Sequence, residues 1–129
     1  MSQRKKNKFI LVLFLSLISG NIFPGIENIN RLTEQEKIQR LISYVRSLKG
    51  SVFIRNGSEH SPDEAAKHME LKLRKAGSKI KTATEFIVYC ASKSTVTGKD
   101  YLVRLNNGRT VKSIDLMTEE LKRIEKENR

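Results

Sequence analysis

The chain has 129 residues, 25 Lys and Arg against 14 Asp and Glu, and one cysteine. That length suits one domain, and a single cysteine excludes an internal disulfide framework. The net charge of +11 falls to +7 once Arg4, Lys5, Lys6 and Lys8 are set aside as part of the N-terminal segment described next, which weakens a nucleic-acid reading of the basic composition.

Met1 to Lys8 carries those four basic residues and no acid, and Phe9 to Ile18 is apolar apart from Ser16. Ser19 and Gly20 follow. A basic start, a short apolar run and a small-residue exit are the parts of a cleavable signal peptide. The run is about half the roughly 20 residues a membrane-spanning helix needs. A cut after Gly20 is expected, although Ile18 departs from the A-x-A pattern. An uncleaved N-terminal anchor is the competing reading. Lipidation needs a Cys at the cut, and the only one is Cys90. The predicted organisation is a signal at 1–20, a flexible leader at 21–32 and a single domain at 33–129. The predicted location is the periplasm or the exterior, with no membrane span in the mature form.

Thr33-x-x-Glu36 is a capping box. Ile38, Leu41, Ile42, Val45 and Leu48 follow at helical spacing, and Gly50 ends the helix. Ser51 to Arg55 reads as a buried strand, apolar on both faces, that Asn56-Gly57 breaks. Ser61-Pro62-Asp63-Glu64 starts a second helix, with Ala65, Ala66, Met69, Leu73 and Ala76 as its apolar stripe. Gly77 stops it. A third helix opens near Thr82 or Thr84, with Glu85 in its first turn, and carries Phe86 to Cys90. It is apolar nearly all round, hence expected at the centre of the core. Outside the cell a free thiol is a liability, so Cys90 is expected either to be buried, which its apolar setting from Phe86 to Ala91 favours, or to pair between chains. Tyr101–Leu105 and Arg109–Lys112, joined through Asn106-Asn107-Gly108, form a β-hairpin. Ile114, Met117, Leu121 and Ile124 mark a last helix whose tail from Lys122 should fray. The fold class is α+β, about four helices packed on a small sheet that includes an antiparallel hairpin.

One stretch looks familiar. Phe53-Ile54-Arg55-Asn56-Gly57-Ser58-Glu59-His60 is followed by Ala65-Ala66-Lys67-His68-Met69-x-x-Lys72. Further on come Thr82-Ala83-Thr84-Glu85-Phe86-Ile87, a Ser-rich loop with Gly98, and Tyr101. This pattern resembles the small exported bacterial proteins grouped as domain of unknown function 5329, over residues 33 to 125. His60 stands where relatives more often have Tyr. Ile114-Asp115-Leu116 occupies a place where a Trp is expected. The resemblance implies export and a shared fold, and no activity.

The candidate binding residues are Arg55, Asn56, His60, Glu64, His68, Lys72 and Tyr101. Arg55 shares a strand face with Phe53. It either packs its stem while pairing with a carboxylate, or holds an anionic or glycan group with its fork. Glu64, His68 and Lys72 form a polar ladder on the second helix. His60 and His68 match no zinc spacing, so no metal or other cofactor is expected. The basic stretch from Lys67 to Lys81 is read first as a solvated helix face and second as a contact for an anionic surface. Catalytic motifs such as G-x-S-x-G and H-E-x-x-H are absent. The leading expectation is a non-enzymatic envelope module that binds a partner protein or an anionic cell-surface polymer, and not nucleic acid. The alternative is a small hydrolase or transferase with a site around His68 and Arg55.

Overall fold

The computed structural model describes residues 31–129. The signal and nearly all of the leader expected at 1–32 lie outside the described residues. Leu32–Arg129 forms one compact unit. Its elements run α1 (Glu34–Ser47), β1 (Val52–Arg55), β2 (Ser58–His60), α2 (Pro62–Ala76), a 3₁₀ turn (Gly77–Lys79), α3 (Ala83–Cys90), β3 (Leu102–Arg104), β4 (Thr110–Lys112) and α4 (Ser113–Glu127). The strands make one antiparallel sheet in the order β2-β1-β3-β4. The class is α+β.

Each helix start has a chemical cause. Thr33, Ser61 and Thr82 cap α1, α2 and α3, and Glu36, Glu64 and Glu85 return the bond to the cap backbone. The core gathers Ile38, Leu41, Ile42 and Val45 from α1, Ala66 and Met69 from α2, Phe86 and Ile87 from α3, and Met117 and Ile124 from α4. Phe53 and Val103 join it from the sheet. Cys90 is a free, buried thiol within this core.

Three expectations need correction. Asn56-Gly57 breaks β1 after Arg55 as expected, but the chain then turns back into the same sheet. The pair is a hairpin turn, with positive φ at both residues (51° and 78°), the pattern of a type I′ turn. It leads into β2, whose Ser58-Glu59-His60 carries no apolar residue to signal a strand. Accordingly β1 is less buried than expected: Phe53 is covered, while Val52 and Ile54 are only partly so. Secondly, α3 is not buried all round. Val88 and Tyr89 are 44% and 61% exposed, because only the Ala83, Phe86, Ile87, Cys90 face meets the other helices. Thirdly, α4 does not fray at Lys122. Ile124 is fully buried, and Arg123 pairs with Glu120 and Glu127, so the helix reaches Glu127.

The turn yields a direct expectation. A Cβ at Gly57 would meet nothing, so replacing it with Ala tests backbone strain alone. Gly57→Ala should destabilise the domain by about 1–2 kcal/mol, read as a lower denaturant midpoint at unchanged slope.

Candidate functional site

The register of the sheet builds one wall of a cavity. Phe53 pairs with His60 on one side and Val103 on the other, so these three residues share the inner face. Arg55, two residues along, points the same way. Extending the β1–β3 register by one step sets Tyr101 beside Arg55 on that face. Across from the wall, α2 presents Glu64, Ala65, His68 and Met69. Phe53, Ile54, Arg55, His60 and Tyr101 with these α2 residues line a half-open pocket of about 90 Å³. Five of the seven candidates, Arg55, His60, Glu64, His68 and Tyr101, line this cavity. Lys72 touches it through Tyr101 and lines a neighbouring groove. Asn56 does not line it. Its side chain ties the hairpin turn to the α3–β3 loop, donating to Ser94 Oγ at 3.3 Å and accepting from Thr97 Oγ1 at 2.6 Å.

The polar contacts fix protonation states. Arg55 Nη1 lies 2.6 Å from His68 Nδ1. A guanidinium can only donate, so Nδ1 accepts and His68 is the neutral Nε2–H tautomer. That Nε2 sits 3.4 Å from Tyr101 Oη, and Lys72 Nζ is also 3.4 Å from it. Tyr101 Oη accepts from both, and its own proton remains to donate. Lys72 lies 5.1 Å above the Tyr101 ring and donates to the Lys93 carbonyl at 3.2 Å. Desolvation, then the Arg55 and Lys72 charges, holds the His68 pKa below its ordinary value. Desolvation also lowers Lys72 and raises the Tyr101 hydroxyl.

Arg55 therefore pairs with an imidazole where a carboxylate partner was one expectation. Among the described residues no carboxylate lies within ion-pair distance of it. The ladder on α2 also divides. Glu64 turns back to cap Ser61 N–H at 2.9 Å and approaches His60 at 3.7 Å, whereas His68 and Lys72 turn to Tyr101. The His60 to Arg55 juxtaposition was hidden in the sequence, because it depends on β2, whose residues give no strand signal. Phe53, Ala65 and Met69 read as ordinary core and also floor the cavity. Among the described residues no group of three His, Cys, Asp or Glu could hold a metal ion.

His68 makes stability depend on pH in a definite direction. The folded state resists the proton that the unfolded state accepts near 6.5. Its contribution is complete above that pH and is lost as pH falls through 6.5 toward the lower folded value. Denaturant unfolding between about pH 8 and 5 should show falling stability on acidification. His68→Gln, which keeps an acceptor for Arg55, should flatten this slope. An unchanged slope would remove His68 as its source.

Fold and cavity together define a small α+β domain with one guanidinium, two imidazoles, one carboxylate and one phenol lining a partly apolar pocket. The family model for DUF5329, a family of unknown function, matches residues 32–125, and the chain belongs to that family. It is 37% identical over 78 residues to the uncharacterized protein YfeK of Salmonella typhimurium (strain LT2), an overlap of 60% of this chain. The chain spans 64% of that relative's length. No solved structure matches it.

Proposed function

We propose that the domain is an exported binding module whose pocket holds a small anion against Arg55, with no chemistry performed on it. One observation carries this reading: a part-buried guanidinium without a carboxylate partner, aimed into a cavity beside a neutral His68. Leaving a cation in such a place is costly unless something completes it. Nη1 is committed to His68, and the Nε and Nη2 groups have no partner among the described residues. That edge is the pair of parallel N–H groups that binds carboxylate or phosphate bidentately.

A hydrolase or transferase at the same place fits less well. A general-base histidine is normally oriented by an acceptor on its other nitrogen. Here a cation faces Nδ1, and desolvation followed by that charge makes His68 a weaker base. Among the described residues, no Ser, Thr or Cys lines the cavity to serve as nucleophile. The export part of the proposal rests on the basic and apolar start of the chain. N-terminal sequencing of the protein recovered from the cell envelope or medium should begin after Gly20.

The binding part is tested by nuclear magnetic resonance on the wild-type protein at constant ionic strength. Adding acetate or inorganic phosphate should move the Arg55 Nε–H and His68 ring signals saturably. If neither anion shifts them while surface signals drift linearly, the pocket is not an anion site.

A further inference from the structure

We infer that the pocket selects a monocarboxylate bearing a short apolar group, either as a free acid or as the end of a peptide chain. This rests on the anion-binding reading above and names its ligand class. Three features of the cavity carry it.

The first is charge. Among the described residues Arg55 is the only Lys or Arg on the cavity wall; His68 is held neutral by the cation at its Nδ1, His60 faces the Glu64 carboxylate at 3.7 Å, and Lys72 lies behind the Tyr101 ring. Glu64 adds a negative charge at the rim. One guanidinium balances one carboxylate. A phosphate dianion would bring a second charge with nothing to offset it, next to Glu64, in a partly desolvated space.

The second is donor geometry. The free Nε/Nη2 edge matches the two oxygens of a planar carboxylate. The Tyr101 hydroxyl proton, left over after that oxygen accepts from His68 and Lys72, can reach one of them as a third donor.

The third is size and lining. About 90 Å³ is roughly three waters at liquid density. That suits a carboxylate and one to three carbons in the inner part of a pocket whose other side is open to solvent. Phe53, Ala65 and Met69 form the floor, all buried in the core. A polar tail would leave its groups unpaired there, whereas a methyl or ethyl group would fill it.

The test is an affinity series on the wild-type protein: acetate, propionate, butyrate and hexanoate, against inorganic phosphate and sulfate, near neutral pH at fixed ionic strength. Affinity should climb from acetate to propionate or butyrate and drop at hexanoate, with phosphate at least about tenfold weaker than the best acid. Ala65→Val, checked by thermal melt for folding, should move the optimum to a shorter acid. Short peptides ending in Ala, free or amidated at the C-terminus, separate the two sources. Tighter binding of the free peptide than of butyrate assigns a chain end, and the reverse assigns a free acid. If phosphate or sulfate binds best, the anion site stands and the monocarboxylate assignment falls. A series with no dependence on chain length overturns it too. If no anion binds, both fail.

Discussion

Replacing Arg55 with Met should weaken anion binding by about 100-fold or more. A hydrogen bond to a charged group is worth about 1.5–3 kcal/mol, and the bidentate edge supplies two. Met keeps most of the stem that packs along the strand face, so the loss belongs to the charged fork. Two further readings separate function from structure. Arg55→Lys retains the charge and loses the parallel N–H pair, and it should recover only part of the affinity. In Arg55→Met the His68 titration should also move up, since Arg55 is one of the two nearest charges opposing its protonation. Calorimetric titration and a histidine pH titration measure both effects. Unchanged affinity together with an unchanged His68 titration would sink the assignment of Arg55 as the anion ligand.

Replacing Phe86 with Ala should be the most damaging single change to the fold. Phe86 is fully buried on the inward face of α3, within the cluster formed by α1, α2 and α4. Removing a buried phenyl ring costs about 3–5 kcal/mol, part transfer and part residual cavity. A domain of this size has about 5–15 kcal/mol in all. The melting temperature should fall by about 15 °C or more. Val88→Ala, two residues on and 44% exposed, is the internal control and should change stability by less than about 0.5 kcal/mol. A comparable loss at both positions would mean that α3 is covered by something beyond this domain.

The contrast between Phe86 and Val88 shows where sequence reading stopped. Eight residues of α3 carry Phe86, Ile87, Val88, Tyr89 and Cys90, and hydropathy alone cannot say which side is covered. Neighbouring helices decide that. The helix starts were legible because a capping box is local chemistry within four residues. The hairpin at Asn106-Asn107-Gly108 was legible for the same reason. Asn56-Gly57 carried an equally strong turn signal, yet its second strand is polar and pairs at the sheet edge, so only backbone pairing reveals it. At the far end of α4, Ile124 is held by packing that a count of polar neighbours misses.

The candidate site divides in the same way. Arg55, His60, Glu64, His68 and Tyr101 stood out by residue type and position, and residue type settles what each can donate or accept. Which of them meet is a matter of register and of the helix laid across the sheet. Arg55 and His68 are 13 residues apart, His68 and Tyr101 are 33 apart, and their contacts exist because α2 crosses the inner face of β1. The chain by itself determined an α+β class, two capped helices and the presence of a third, a hairpin and a basic, apolar N-terminal segment, all products of interactions within a few residues. Only the tertiary structure decided that Arg55 answers to an imidazole and not to a carboxylate. Pairing between distant residues depends on the whole packing arrangement, and no local pattern encodes it.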